Sequence, residues 1–399
     1  MFDISQLNTP ETGNVVLGAY VNGYSIVQEL WENGVRDIIV MDVMQDVAAL
    51  SNKISRFIRI RNSAASVLDA LNELSKSYER LILYPNKDAY VEYLSELHRE
   101  ISDFCFLPFN PETTSEYQDK MVQYRFCEEL GVPYPNVVMV DRKEDLDRLH
   151  SIEFPILIKP TYRDNLSTEV FRTLHLRDEA EIEKYRPKLA KLLGAGVKFV
   201  VSEIIPGAGS DVHSYTGYRS RDGEILGEWI GKKLAQFPHN FGVFASASNR
   251  STKVVREQGR KLLHGMDLWG VNQPEFKYDH RDGKYKLTEI NLRPMMWHRL
   301  GALVGVPLNY IQYLDAIGQK TPEFEQKDDL DIHYVYLNYE IINLFYRKNY
   351  FKTFRNNLFG GDKRILALWD RHDPIPFFAS IPSIFRRYLR YRKTTRGLS

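Results

Sequence analysis

The chain has 399 residues, of which 43% are hydrophobic, and a formal net charge of +1 at pH 7. This length suits two or three domains with real hydrophobic cores, and the hydrophobic fraction excludes wholesale disorder. The near-neutral charge gives no global argument for nucleic-acid binding. The two cysteines, Cys105 and Cys127, form no disulfide framework and indicate a reducing compartment.

The N-terminus shows no basic region followed by an apolar one, so no secretory signal is expected. No apolar run reaches the length of about 18 residues that a membrane-spanning helix needs. The sequence therefore predicts a cytoplasmic protein.

Strands and helices alternate in the first segment, about residues 13 to 110. Strands are predicted at 15–19, 37–41, 56–60 and 80–84, with helical patterns between them. This alternation implies a parallel sheet covered on both faces. Because such sheets bind ligands at the carboxyl ends of their strands, the turn from Gly18 to Ser25 is a candidate ligand loop. It lacks the dinucleotide G-x-G-x-x-G spacing, and a tight turn with a helix cap is the alternative.

The middle segment, about residues 111 to 325, mixes helices with antiparallel hairpins. A helix begins near Lys120, and a short apolar strand delivers Lys159 to its end. Taken alone, either lysine is more often a solvated charge. Glu203 lies near the end of a later strand, and Asp211 precedes the next one. The pattern is α+β and differs from that of the first segment.

Residues 273–299 form the stretch with the strongest chemical signal. Two alternating segments flank Asp282-Gly283, which is a strong hairpin signal. Glu289 and Asn291 are two residues apart on the second strand, so their side chains share a face, and Glu275 can approach that face from the first strand. Two carboxylates and an amide oxygen suit Mg²⁺.

A cation follows at the next position on the same face of the second strand. Arg293 could there contact a phosphate. The alternative for the whole stretch is a surface hairpin whose polar side chains face water.

The order of these pieces resembles the ATP-grasp superfamily over roughly residues 13 to 320. A lysine on a helix precedes a strand ending in Lys-Pro, and a later strand ends in Glu-Ile-Ile-Pro-Gly with an acid eight positions after its glutamate. Glu-Phe-Lys-Tyr-Asp, a turn and Glu-Ile-Asn-Leu-Arg-Pro come last. The first segment is similar to the domain that precedes the ATP-grasp fold in carbamoyl-phosphate synthase-like and biotin carboxylase-like members.

The resemblance implies a three-part architecture. Residues 1–110 would form an α/β pre-ATP-grasp domain with a parallel sheet. Residues 111–325 would form an α+β ATP-grasp domain whose two subdomains clamp ATP. Residues 326–399 would form a mainly helical, aromatic-rich C-terminal extension with a basic tail.

The resemblance also implies a role for each matching residue. Lys120 and Lys159 would contact ATP phosphates. Glu203 would meet the adenine amino group, with the backbone of Ile204 and Ile205 alongside. The remaining expected ligands and catalytic groups are Asp211 for the ribose hydroxyls, Glu275, Glu289 and Asn291 for Mg²⁺, Arg293 near the transferred phosphate, and Lys232 for the triphosphate, with Lys233 competing for that role.

The chemistry of the family explains these residue types. Transfer of a phosphoryl group from ATP to a carboxylate brings two anions together, so cations must offset their repulsion. Two Mg²⁺ ions are expected, with Mn²⁺ as a substitute. The first step needs little acid–base catalysis, and a structural role is the favoured reading for His213 and His298.

One loop departs from the family pattern. The family has a glycine-rich loop after the position of Lys159, but residues 161–168 contain no glycine. We expect side chains of Arg163, Ser167 or Thr168 to supply hydrogen-bond donors there instead.

The last segment is aromatic and ends in a basic tail. Residues 331–359 are predicted to form one long helix or two, and residues 364–370 a strand. From 377 onward the chain carries six cations and no acid, interleaved with apolar residues. Such a tail can lie on the inner face of an anionic membrane, or be a docking helix or a solvated end.

The leading functional prediction is an ATP-dependent carboxylate–amine ligase that forms an amide through an acyl phosphate. The closest general likeness is to D-aspartate ligase-like enzymes, which suggests a lipid-linked cell-envelope precursor or a glycan as one substrate and an amino acid as the other. The alternatives are a carboxylase or carbamoyl-phosphate synthase-like enzyme, and a non-catalytic ATP-binding regulator. Nucleic acid is not an expected partner.

Overall fold

The computed structural model describes residues 12–161, 170–171, 173–239 and 242–384. The chain forms two compact units. Unit 1 comprises Met1–Ser115, Ala208–Pro274 and Asn291–Ser399, and unit 2 comprises Glu116–Gly207 and Glu275–Ile290. The three-part division by sequence stays a prediction.

The first part of unit 1 is an α/β layer. Its elements are β1 (Thr12–Leu17), α1 (Val21–Glu32), β2 (Ile38–Asp42), β3 (Arg56–Arg59), α2 (Ala64–Leu74), β4 (Arg80–Pro85), α3 (Asp88–Glu96), α4 (His98–Ile101), β5 (Cys105–Phe106) and α5 (Thr114–Tyr117). The strands run parallel in the order β3-β2-β1-β4-β5. Val15, Val16 and Leu17 are fully buried because both faces of the sheet are covered. The predicted parallel sheet is confirmed.

Unit 2 contains a four-stranded antiparallel sheet. Its elements up to Gly207 are α6 (Lys120–Leu130), β6 (Val137–Val140), β7 (Ile156–Pro160), β8 (Leu174–Leu176), α7 (Glu179–Gly194) and β9 (Phe199–Glu203). The strand order is β6-β9-β7-β8. Ile156, Leu189 and Phe199 belong to one hydrophobic cluster, which gives this unit its own core.

A seven-stranded sheet includes the strands of the central part of the chain. The elements are β10 (Val212–Arg219), β11 (Ile225–Phe237), β12 (Val243–Ser248), α8 (Lys253–Gly265), β13 (Gly270–Asp279), β14 (Lys284–Asn291), α9 (Arg299–Leu303), α10 (Leu308–Ala316), β15 (Ile332–Val335), α11 (Leu337–Tyr346), α12 (Phe351–Phe359) and β16 (Lys363–Leu366). The strand order is β14-β13-β10-β11-β12-β15-β16. The predicted α+β character of the middle segment is confirmed.

The start of the last segment differs from the prediction. The sequence predicted helix from residue 331, but Ile332–Val335 form β15, which pairs antiparallel with β12 and parallel with β16. All four residues of β15 are buried, so tertiary pairing outweighs the local helical pattern. The predicted strand 364–370 is present as Lys363–Leu366 only. Residues 375–384 are helical, and in the described part of this segment helices hold more residues than strands do.

No helix within the described ranges combines the length and the apolar character that a membrane crossing requires.

A buried carboxylate joins α1 to the start of α10 in unit 1. Glu29 is fully buried, and its Oε1 accepts hydrogen bonds from the backbone N–H groups of Asn309 at 2.6 Å and Tyr310 at 3.2 Å. Its Oε2 accepts from Asn309 Nδ2 at 2.8 Å. Burial raises the pKa of Glu29 to about 7, although these hydrogen bonds oppose the rise. Glu29 therefore caps α10, but burial of its charged form lowers the stability of the fold at neutral pH.

We expect Glu29→Gln to remove a pH dependence of stability. A carboxyl whose pKa is raised on folding contributes stability below its unfolded pKa of 4.5, and loses it as pH rises through its folded pKa of about 7. The free energy of unfolding of the parent relative to that of Glu29→Gln should fall by about 3 kcal/mol from pH 4.5 to pH 7.

Urea unfolding at a series of pH values measures this difference. Glu73→Gln, at a glutamate whose side chain is 71% exposed, is the control and should show no such trend. A constant difference between parent and Glu29→Gln across the range would contradict the assignment.

Candidate active site

The hairpin formed by β13 and β14 carries three of the predicted site residues. Gly283 in its turn has a φ of 71°, which glycine adopts without strain, and its N–H donates to the Asp279 carbonyl at 2.8 Å. Glu275 is 9% exposed on β13. Glu289 lies on β14, and Thr288 beside it donates a hydrogen bond to the Glu275 carbonyl at 3.0 Å. The hairpin expected from the sequence is thus present, with the two glutamates on neighbouring strands.

An ion pair connects this hairpin to α6. Lys120, the first residue of α6, places its Nζ 3.0 Å from Glu289 Oε2 and 3.2 Å from the Thr288 carbonyl oxygen. Burial alone would lower the pKa of Lys120, but the carboxylates of Glu289 and Glu275 more than offset this and raise it. Lys120 therefore stays protonated, and two predicted site residues far apart in sequence are brought into contact.

Lys159 occupies the predicted strand-end position. It is the penultimate residue of β7 and lies opposite Val200 of β9. The backbone N–H of Thr161 then donates to the Lys198 carbonyl at 3.0 Å, which continues the pairing for one residue. Arg163, Ser167 and Thr168, the expected donors of the glycine-free loop, lie outside the described residues.

The carboxylate of Glu203, at the end of β9, is already engaged by the protein. Oε1 accepts from the Asn136 backbone N–H at 2.9 Å, and Oε2 accepts from Arg281 at 2.7 Å. The side chain is only 8% exposed. A contact with adenine at this position would therefore come from main-chain atoms rather than from this carboxylate.

Main-chain atoms of the two isoleucines after Glu203 are also hydrogen-bonded. The Ile204 N–H donates to the Pro155 carbonyl at 2.9 Å. Lys277 Nζ donates to the carbonyl oxygens of Ile205 at 2.7 Å and Gly207 at 3.2 Å. Lys277 was not selected as a site residue from the sequence. Its position two residues after Glu275, on the same face of the strand, could have indicated it.

A charged network fixes the hairpin turn against the end of β9. Asp279 is fully buried and accepts hydrogen bonds from Arg281 and, at 2.7 Å, from Lys286. Arg281 also reaches Glu153 at 2.9 Å, in addition to Glu203. Arg281, followed by Lys286, holds the pKa of Asp279 well below its usual range. Arg281 could not be found from the sequence, because its carboxylate partners Glu153 and Glu203 are more than seventy positions away.

We expect Arg281→Met to lower the free energy of unfolding by about 2 kcal/mol, because it leaves the buried Asp279 with Lys286 as its remaining cation. Arg177→Met is a suitable control, since Arg177 is 75% exposed and pairs with Glu181 on the surface of the same unit. That variant should lose less than about 0.5 kcal/mol. Denaturant unfolding measures both values, and equal losses would contradict the role given to Arg281.

Unit 1 brings together another three polar residues. Asp211 lies at the end of a short 3₁₀ helix before β10, and its Oδ2 accepts from the Ala208 N–H at 2.7 Å. His213 lies opposite Lys232 on β11. Burial and, to a smaller extent, Lys232 lower the pKa of His213 to about 4, and Asp211 opposes both. These electrostatic interactions show that Asp211 and Lys232 both lie near His213.

The structure separates the two competing lysines of β11. Lys232 is partly exposed and lies opposite His213, whereas Lys233 is 6% exposed and lies opposite Ala247 of β12. Neighbouring residues of a strand point to opposite faces. Lys232 thus shares its face with His213, which favours it over Lys233 for the triphosphate role.

Arg293, just beyond β14, is held by a carboxylate that the sequence did not single out. Its Nε and Nη2 lie 2.6 Å and 3.0 Å from the two carboxylate oxygens of Asp88, the first residue of α3. Arg293 is 12% exposed and Asp88 is 63% exposed. Asp88 follows β4 at the carboxyl edge of the parallel sheet, where ligands of such sheets bind. This position after a predicted strand could have marked Asp88 as a candidate site residue in the sequence.

His298 has the structural character that the sequence favoured. It is 1% exposed, and its ring lies edge-on to that of Trp229, with 6.3 Å between ring centres. Burial lowers the pKa of His298 to about 3, with Arg293 adding to the effect. The imidazole is therefore neutral at physiological pH.

The residues predicted to bind Mg²⁺ lie on the two strands of the hairpin. Among the described residues, no group of three or more His, Cys, Asp or Glu side chains is arranged to hold a metal ion. Glu289 and Asn291 are two residues apart on β14, and Asn291 Nδ2 is buried without a hydrogen-bond partner in the described parts. Carboxylate and amide oxygens fit Mg²⁺, and reversing the Asn291 amide would present its oxygen at that orphaned position.

Solved structures of known proteins share this fold. N5-carboxyaminoimidazole synthetase from Staphylococcus aureus, in complex with ADP, matches with a TM-score of 0.59 at 16% identity, covering 79% of this chain and 80% of that one. Biotin carboxylase from Campylobacter jejuni matches with a TM-score of 0.61 at 14% identity, over 81% and 74%. Phosphoribosylglycinamide synthetase from Anaerococcus prevotii matches with a TM-score of 0.59 at 12% identity, over 80% and 79%.

These neighbours have the ATP-grasp fold, so the fold that the sequence predicted is confirmed for this chain. By sequence, it is 28% identical over 238 residues to the D-aspartate ligase of Enterococcus faecium (strain Aus0004). The match covers 56% of each chain, so it spans little more than half the length of that relative. No family model matches.

Proposed function

We propose that this protein is an ATP-dependent carboxylate–amine ligase that forms an amide through an acyl phosphate. The contact between Lys120 and Glu289 carries the proposal, because it joins a predicted phosphate-binding lysine to a predicted metal ligand in an ATP-grasp fold. The relative by sequence is a ligase, which supports the same class of reaction.

ATP would be held by the residues that the family resemblance assigned. Lys120 and Lys159 would offset the negative charge of the phosphates, and main-chain atoms of residues 203–205 would contact adenine. Asp211 would bind the ribose hydroxyls, with Lys232 at the triphosphate. Two carboxylates near Lys120 would otherwise repel a polyphosphate, so a cation at this place is a physical requirement.

Glu275, Glu289 and Asn291 would hold Mg²⁺, with Mn²⁺ as a substitute. Bound there, the metal supplies positive charge that lowers the repulsion between the two reacting anions. If Glu289 bound the metal, Lys120 would lose this counter-ion and would be available to a phosphate oxygen. The ion pair between Lys120 and Glu289 would thus be replaced by a contact of Glu289 with the metal and a contact of Lys120 with a phosphate.

The reaction has two balanced steps. A substrate carboxylate oxygen forms a bond to the γ-phosphorus of ATP as the bond to the leaving oxygen breaks, which yields an acyl phosphate and ADP. An amine nitrogen then attacks the acyl carbon, inorganic phosphate leaves, and the amine loses a proton. Arg293 would stabilise the negative charge on the transferred phosphoryl group.

We propose that one substrate is an amino acid and that the other is a precursor of the cell envelope or of a glycan. A lipid-linked precursor is one of these candidates. The name of the sequence relative and the aromatic, basic end of the chain support this choice. The basic tail would place the enzyme at the inner face of a membrane.

A carboxylase is the second candidate, because one structural neighbour is a biotin carboxylase. ADP release measured over a panel of carboxylates and amines separates the candidates. A ligase requires a carboxylate and an amine together, and a carboxylase requires bicarbonate. Tight Mg-ATP binding with no turnover on any pair would favour a regulatory ATP-binding protein.

We expect Glu289→Ala to lower Mg-ATP-dependent turnover at least about a hundredfold, because a metal ligand and the partner of Lys120 are both lost. Glu129→Ala, at an exposed glutamate of α6, is the control and should keep full activity. Circular dichroism would verify that both variants are folded. Near-normal turnover in Glu289→Ala would remove the metal assignment.

A further inference from the structure

The helix at residues 375–384 shows an apolar face to solvent. Ile375 is 57% exposed, Phe378 58% and Ile381 38%, and Trp369 just before the helix is 44% exposed. Residues 374–384 contain no charged side chain. A helix on the surface of a water-soluble protein normally turns polar residues outward, so this face is unusual and suits a partner that is itself apolar.

The orientation of this helix is fixed by contacts on its other face. Phe377 and Ile384 pack against the main hydrophobic core of unit 1. Ser380 is 3% exposed, and its carbonyl accepts a hydrogen bond from Asn338 Nδ2 at 3.2 Å. The Trp369 ring contacts Phe377 and Phe378, with ring centres 5.3 Å and 6.1 Å apart. The exposed face is therefore held outward by the fold.

The sequence that follows this helix identifies the kind of surface that it fits. Directly after Ile384, and outside the described residues, the chain carries six cations and no acid: Arg386, Arg387, Arg390, Arg392, Lys393 and Arg396. Aromatic and apolar residues beside basic ones are typical of segments that lie in the headgroup region of anionic bilayers. Each Lys or Arg near such a surface adds to its attraction.

A second copy of the chain fits this face less well. Stable dimers bury about 800 Å² on each partner, which four exposed side chains do not supply. Repulsion between two basic tails would further oppose such a pair.

We propose that Trp369, Ile375, Phe378 and Ile381 form a membrane-docking surface that inserts into the interfacial layer of an anionic bilayer. The proposal rests on the membrane location given under the proposed function and names the side chains that enter the bilayer. It is independent of the catalytic assignment, because none of these residues belongs to the candidate active site.

Vesicle sedimentation tests the surface. The full chain should bind vesicles that contain phosphatidylglycerol and bind phosphatidylcholine vesicles weakly, with binding reduced by salt. Ile375→Asp together with Phe378→Asp should lower binding to the anionic vesicles by about tenfold or more, since two apolar side chains no longer enter the bilayer. Phe351→Asp, at a 66% exposed residue of α12, is the matched control and should bind like the parent.

Fluorescence gives a second measurement that does not depend on the aspartate variants. Vesicles with brominated acyl chains should quench tryptophan emission of the parent, and Trp369→Phe should remove this quenching. Parent-like vesicle binding by the Ile375→Asp, Phe378→Asp variant, or the absence of Trp369 quenching, would overturn the proposal. So would a dimer in sedimentation velocity that the double variant dissociates, since the face would then belong to a second copy.

Truncation after Ile384 separates the contribution of the docking surface from that of the basic residues that follow it in the sequence. Loss of anionic selectivity with residual quenching of Trp369 would support docking by the apolar face itself. Unchanged binding by the truncated chain would overturn the role given to the cations. ADP release with soluble substrates should be the same in all these variants, so a failure of the ligase proposal would be seen separately, as absent turnover in the parent.

Discussion

Charge neutralisation around the β13–β14 hairpin is the constraint on which the candidate site depends. Two glutamates on neighbouring strands repel each other, and Lys120 from α6 offsets that repulsion at 3.0 Å from Glu289. A residue at the start of one helix thus fixes the electrostatics of a hairpin about 170 positions later. The proposed ATP-binding role would use the same arrangement, because a metal ion and a phosphate would replace the lysine–carboxylate contact.

The remaining charged groups follow the same rule of local pairing. The buried Asp279 is matched by Arg281 and Lys286, and the nearly buried Glu203 by Arg281. In unit 1, Arg293 is matched by Asp88. Buried carboxylates without a cation are stabilised in another way: Glu29 accepts three hydrogen bonds and has a raised pKa. Each group is thus either paired or pushed toward its neutral form, as the cost of burying charge requires.

Sequence reasoning succeeded where the signal was local. Turn chemistry and short-range patterns predicted the hairpin at Asp282-Gly283, the parallel sheet of the first segment and the strand that carries Lys159 near its end. It failed at Ile332–Val335, where a helical pattern was overridden by pairing with β12 and β16. It also missed Asp88, because its partner Arg293 is distant in sequence. Arg281 was missed for the same reason, since its partners Glu153 and Glu203 are distant and leave no local trace.

By itself, the sequence determined the ATP-grasp fold and the types and order of the candidate site residues, because these depend on spacing along the chain. Only the tertiary structure decided how those residues are used. In the tertiary structure, the Glu203 carboxylate is hydrogen-bonded to Arg281, and Arg293 is paired with Asp88. Lys232, unlike Lys233, lies on the same face of its strand as His213. The physical reason is that electrostatic partners are chosen by distance in space and by burial, and neither is encoded in a local pattern.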